Sequence, residues 1–208
     1  KNYGDYVMRY VHTEGDNYRI RYVFNANDGE HIYGLGQEQE DAFDRKGTST
    51  ELVHYNTKSV IPFYYSSLGY GFLWNNPAPG RCETTFNHTM WVADSAYQAD
   101  FIVFVGDTPK DVMKTYADLT GYSPMMPKWA AGFWQCKCRY ESQDILLNVA
   151  REYKRRGIPI DAIVIDFFHW TEQGDLKFDP KYWPDPKAMC DELKEMGIEP
   201  VVSVWPTI

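Results

Sequence analysis

The chain has no run of about eighteen consecutive apolar residues, so no transmembrane helix is expected. Cysteine is scarce, with four among 208 residues, too few for a disulfide scaffold of this length. Cys136-x-Cys138 has no second Cys or His pair at zinc spacing, and Cys82 and Cys190 stand alone. All four read as ordinary buried thiols, and neither a metal site nor a cofactor is expected. Basic charge is also short: 21 Lys and Arg face 29 Asp and Glu, a net of −8. That disfavours nucleic acid and anionic membranes as partners, because both are bound by neutralising phosphates. Gly34-x-Gly36 lacks a third glycine and a following helix; it reads as a turn and not as a nucleotide loop. The first residues, Lys1-Asn2-Tyr3-Gly4-Asp5, show no apolar signal-peptide core.

What the chain does have is aromatic residues, 16% of the total, which suits a β core and a sugar-stacking surface equally. Residues 1 to about 107 alternate as short strands: residues 18–24, 60–65, 71–74, 84–86, 90–92 and 99–105, separated by Gly, Asn and Pro turns. An antiparallel sandwich follows from that spacing. The rhythm then changes. Thr108 caps a helix with Pro109 in its first turn, Gly121 ends it, and Ser123-Pro124-Met125-Met126-Pro127 reads as a linker.

Beyond the linker, strands and helices alternate. Residues 130–135, 160–168 and 200–205 read as buried parallel strands. Helices opening at Ser142 and at Asp185-Pro186 separate them. This β-α-β-α-β order predicts right-handed crossovers. A closed (β/α)₈ barrel takes about 250 residues, far more than residues 128–208 supply. The segment therefore reads as the front part of a longer barrel.

Sites on parallel sheets lie at the C-terminal ends of strands. Asp166, emerging from Ala162-Ile163-Val164-Ile165, would be costly to bury without a partner or ligand. His169 beside Trp170 reads as a packed or sugar-contacting ring. Asp179 and Asp185 each precede proline and read as turn and cap residues.

At this point the residues resemble glycoside hydrolase family 31, the α-glucosidases and α-xylosidases. The resemblance rests on Tyr33-Gly34-Leu35-Gly36-Gln37-Glu38, Ile61-Pro62-Phe63-Tyr64 and Gly69-Tyr70-Gly71-Phe72-Leu73-Trp74-Asn75-Asn76-Pro77. It continues in Gly132-Phe133-Trp134-Gln135, Arg155-Arg156-Gly157-Ile158-Pro159-Ile160-Asp161, Trp183-Pro184-Asp185-Pro186 and Val202-Ser203-Val204-Trp205-Pro206. It implies a galactose-mutarotase-like β-sandwich over residues 1–122, followed by strands 1–3 of a (β/α)₈ TIM barrel over residues 123–208.

The activity it implies is exo-acting hydrolysis of terminal α-linked xylose or glucose with retention, through a covalent glycosyl–enzyme intermediate that needs two carboxyl groups. No residue here matches the family's nucleophile or acid/base, which are expected downstream of Ile208. The resemblance assigns substrate binding to Asp166, Phe167, Phe168 and Trp205. It also assigns Asp44, on a long polar loop over residues 43–51 that is expected to reach the sugar. A bulky aromatic near the sugar's C6 position would favour xylose. The implied partner is an oligosaccharide or small α-glycoside, and self-association is left open. The alternative is a non-catalytic carbohydrate-binding or scaffold protein.

Overall fold

A computed structural model describes residues 8–206; the N-terminal segment read for a signal peptide, residues 1–5, and Ile208 lie outside them. Contacts divide the chain into two compact units, parting between Tyr122 and Ser123.

Among the described residues of the first unit there are nine strands: β1 (Met8–His12), β2 (Tyr18–Asn25), β3 (Ile32–Gln37), β4 (Ser49–Glu51), β5 (Ser59–Ser66), β6 (Tyr70–Trp74), β7 (Gly80–Thr84), β8 (His88–Ala96) and β9 (Phe101–Val105). They form two antiparallel sheets, β1-β2-β8-β7-β4 and β3-β5-β6-β9. Alternation works as the pleat requires. Ile20, Cys82, Trp91 and Ala93 from the first sheet share one core with Ile32, Leu35, Tyr64, Phe72 and Trp74 from the second. Trp91 is the centre of that core. Its indole lies stacked at 5.3 Å from Phe72, 5.7 Å from Tyr64 and 5.9 Å from Trp74. Ring stacking of this kind adds about 0.5–1.5 kcal/mol per pair beyond area burial.

Helix α1 (Pro109–Thr120) starts in a capping box: the Thr108 hydroxyl accepts from the Asp111 N–H, and the Asp111 carboxylate accepts from the Thr108 N–H. Its fully buried Val112 packs with Phe63, Leu73 and Phe104. Gly71 makes that approach possible, since a Cβ there would meet Val112 and Phe63 at 2.8 Å.

Four readings of this unit are corrected. The Gly34–Gly36 stretch is strand and not turn, with a register shift where β3 pairs β5. Leu35 (φ +66°), Gly34 and Gly36 all hold positive φ there, an irregularity that hides the strand from an alternation test. The run at residues 84–86 ends at Thr84, and Phe86 projects from the following turn. The irregular loop over residues 43–51 stops at Thr48, because Ser49–Glu51 pairs with Glu83, Cys82 and Arg81 of β7. Strands β1, β3 and β4, and β7 ahead of Thr84, are additional to those read from the sequence; all of them carry Gly or charged residues that interrupt the usual pattern.

The second unit holds a 3₁₀ turn (Lys128–Ala131), then β10 (Trp134–Gln135), α2 (Gln143–Arg155), β11 (Ala162–Ile165), α3 (Pro186–Glu195) and β12 (Glu199–Val202). The three strands form one parallel sheet in the order β10-β11-β12. Helices α2 and α3 bury Leu146, Leu147, Ala150, Met189 and Leu193 against Ile163 and Ile165. Ser142 and Asp185 cap them. Between the helices, Arg151 grips Glu192 through two bonds of 2.6 and 2.8 Å.

The expected first strand, residues 130–135, is corrected to two residues. Pro127 and the 3₁₀ turn take its first half, and Phe133 and Trp134 are exposed. Its entry is fixed instead by Asp161, whose carboxylate accepts the Phe133 N–H at 2.9 Å. The side chain fits only because residue 132 is glycine: a Cβ there would stand 2.2 Å from the Asp161 carboxyl carbon. The second and third strands are also shorter than read, leaving Phe167, Phe168 and Trp205 on the loops that follow them.

Candidate functional site

The C-terminal ends of the three parallel strands converge on one cluster. Asp166 leaves β11 directly, half-buried, with its backbone N–H partner supplied by the next residue: the Phe167 N–H donates to Asp166 Oδ1 at 2.9 Å. The second oxygen, Oδ2, lies 3.6 Å from the Cys136 thiol, one residue past β10. Trp205, past β12, is held in the same cluster by aromatic contact.

Phe167 stacks on Trp205 at 5.4 Å with 26° between the planes. Phe168 meets Trp205 at 5.9 Å edge-on and Phe167 at 4.8 Å. Trp170 closes the group, 5.9 Å from Trp205. Phe168 holds φ +61°, a left-handed conformation that a bulky residue rarely takes. That backbone turn lets two consecutive phenylalanines face one indole. Phe168 and Trp205 remain 51% and 43% exposed, so rings wall a surface that still has room for a ligand. The Arg139 guanidinium stands 5.7 Å over Phe168.

His169 is not at this surface. It is buried, its Nδ1 lies 3.1 Å from the Asp166 carbonyl, and its ring packs on Trp170 and Phe178. An Nδ1–H donating to that carbonyl stabilises the turn after β11, the packed-ring outcome. Asp179 and Asp185 act as the turn and cap residues expected, accepting from the Lys181 and Ala188 N–H groups at 2.9 Å.

Asp44 belongs to the first unit and forms a local network of its own. It accepts from His31 Nδ1 at 2.6 Å and from the Ile32 and Lys46 N–H groups at 3.0 Å each. Burial pushes its carboxyl up, but these bonds outweigh that and hold it below the usual range. The neighbouring Arg45 is buried, donating to the Thr50 hydroxyl, and Lys46 pairs with buried Glu30. The side chain this loop turns outward is Phe43, 86% exposed and 5.1 Å from the Tyr33 ring.

The thiols correct the cysteine reading. Cys82 is buried, but Cys136 and Cys138 are exposed and Cys190 partly so. The first strand is too short to cover the pair. Cys136 was missed as a site residue because its contact depends on strand register, which single-chain spacing does not give. Among the described residues no group of three or more His, Cys, Asp or Glu could hold a metal, and no helix is long and apolar enough to cross a membrane.

Comparison with known proteins gives a concordant result. Residues 5–83 match the glycosyl hydrolase 31 N-terminal galactose mutarotase-like domain, and residues 123–208 match the glycosyl hydrolases family 31 TIM-barrel domain. A protein from Pseudescherichia vulneris described as an uncharacterized family 31 glucosidase is 47% identical over 194 residues, which are 93% of this chain and 37% of that protein. An α-xylosidase from Saccharolobus solfataricus is 40% identical over 201 residues, 91% of this chain and 28% of its own. The crystal structure of a family 31 α-xylosidase from a soil metagenome, complexed with xylose, superposes with a TM-score of 0.87 at 51% identity. It covers 97% of this chain and 30% of that one. The chain thus spans about a third of the length of these relatives. With both domains matched in order, on an antiparallel β unit followed by parallel β/α units, the chain belongs to glycoside hydrolase family 31, as its N-terminal portion.

Proposed function

We propose that this chain is the front of an exo-acting α-glycoside hydrolase that removes terminal α-linked xylose or glucose. In this reading, residues 1–122 form the mutarotase-like domain. Residues 123–208 supply strands one to three of an eight-stranded barrel. The observation that carries the reading is Asp166 set at the end of the central parallel strand, inside the wall of Phe167, Phe168 and Trp205. A carboxylate accepts charge-assisted bonds from sugar hydroxyls, and an indole packs on the apolar face of a pyranose.

Asp166 binds hydroxyls in this account. The nucleophile and the acid/base stand downstream of Ile208, and the reaction retains configuration through a glycosyl–enzyme intermediate. Asp44, with 37% of its side chain exposed, keeps lone pairs for a hydroxyl beyond those used by its three donors. The exposed Phe168 ring favours xylose over glucose by excluding a hydroxymethyl group, a discrimination worth about 1–3 kcal/mol. The names of the relatives, α-xylosidases among them, support the same class.

Proton NMR on the full-length enzyme acting on an aryl α-xyloside is the test. The reading expects α-xylose as the first-formed anomer, released one unit at a time, and no turnover by residues 1–208 alone. First release of β-xylose, or of internal fragments from an oligosaccharide, would refute it.

A further inference from the structure

The Asp166 carboxylate is held at both oxygens, and only one of the two holders is backbone. Oδ1 accepts the Phe167 N–H at 2.9 Å, within its own turn. Oδ2 faces Cys136 Sγ at 3.6 Å, a contact from the neighbouring strand end. Register explains the meeting. Trp134 pairs with Ala162 and Gln135 with Ile163, so residue 136 continues opposite Val164, which shares a sheet face with Asp166. Gln135 points to the other face, where its amide meets Tyr140 and Tyr153. Alternation therefore delivers the thiol to the Asp166 side.

We propose that Cys136 is a positioning residue for Asp166: its thiol donates an S–H···O hydrogen bond to Oδ2 and fixes the rotation of the carboxylate. The inference rests on the proposed role of Asp166 in binding the terminal sugar. The alternative acceptor for the thiol is the Lys137 carbonyl, at 3.7 Å, but an ionised oxygen is the stronger acceptor. The thiol also keeps its proton: burial and the Asp166 carboxylate both push it up from its ordinary value. An S–H bond is weak, yet here it decides orientation. With Oδ1 and Oδ2 each holding one donor, the remaining lone pairs point to fixed places, which is where sugar hydroxyls must be met. Without the thiol, the carboxylate swings about its single remaining anchor, and the sugar must order it on binding.

The test uses the full-length enzyme and an aryl α-xyloside. Cys136→Ala is expected to raise KM about threefold to tenfold with the melting temperature unchanged. Cys136→Ser, which keeps a donor, is expected to stay within about twofold of the parent. In an Asp166→Asn background, Cys136→Ala should add no further loss, because the carboxylate it orients is gone. A silent Cys136→Ala, a Cys136→Ser as impaired as Cys136→Ala, or losses that multiply in the double variant would overturn the proposal. If Asp166→Asn is itself kinetically normal, the assigned role of Asp166 falls and this inference with it. If Asp166→Asn is crippled and Cys136→Ala silent, the inference alone falls.

Discussion

Glu30 is a carboxylate at only 3% exposure, and the bonds its side chain makes join parts of the first unit that are distant in sequence. It accepts from Ser66 Oγ at 2.6 Å, the Tyr70 hydroxyl at 2.5 Å and Lys46 Nζ at 3.0 Å. Burial alone would push its carboxyl up, but these three donors outweigh it and hold the group below the usual carboxylate range. Because the folded value is depressed, the stabilisation is full above the ordinary value of 4.5 and is lost as pH falls through the folded one. Glu30→Gln leaves the buried Lys46 ammonium unpaired, which should cost about 3–5 kcal/mol. Urea unfolding at neutral pH checks the loss. Repeating it below pH 4.5 should show the difference between variant and parent shrinking; a difference that stays constant with pH would contradict the account.

At the scale of elements, the strand β3 and its partner β5 depend on two glycines. Gly36 (φ +90°) approaches β5 so closely that a Cβ would lie 2.1 Å from the Ser59 carbonyl oxygen and 2.9 Å from the Val60 Cα, both backbone. Nothing flexible can give way there. Gly36→Ala should therefore unpair this end of the sheet and destabilise the unit by about 3 kcal/mol or more, through combined strain and lost pairing. Amide exchange would read it as lost protection at residues 59–61, with α1 unaffected; uniform protection would show that the bulge relaxes. The same segment shows why part of the fold was legible in the sequence and part was not. The alternation of β2, the apolar runs of β5 and β8 and the caps at Thr108, Ser142 and Asp185 are local signals, and the structure follows them. Strand β3 is set by a bulge and by its neighbour's backbone, and β10 by Asp161 just ahead of β11, so neither leaves a period in its own residues. The loop of residues 43–48 is similar. Asp44, Arg45 and Lys46 look like solvent-facing charge, but all three tie the loop to the sheet. Removing residues 44–48 would cost stability, and Phe43→Ala is the cleaner probe of what the loop touches.

At the scale of the whole molecule, the family and the place of Asp166 were legible because motifs span both units in order and because β11 is a plain apolar run ending in an acid. The Cys136 contact and the packing of Trp205 on Phe167 were not, since both join strand ends far apart in sequence. Under the proposed function, the full-length enzyme holds a terminal sugar's hydroxyls on Asp166, and the roles of Phe167, Phe168, Trp205 and Cys136 depend on that. Hydroxyl contacts of this kind strengthen toward the transition state, so their loss should appear in turnover as well as in binding. The deciding measurement is steady-state kinetics of Asp166→Ala in the full-length enzyme on a terminal α-xyloside, with the melting temperature as a control for folding. The account predicts a fall in kcat/KM of about a hundredfold or more, on the order of 3 kcal/mol or more of transition-state stabilisation, with KM raised, kcat lowered and melting unchanged. Kinetics within a few-fold of the parent, in a folded variant, would contradict it.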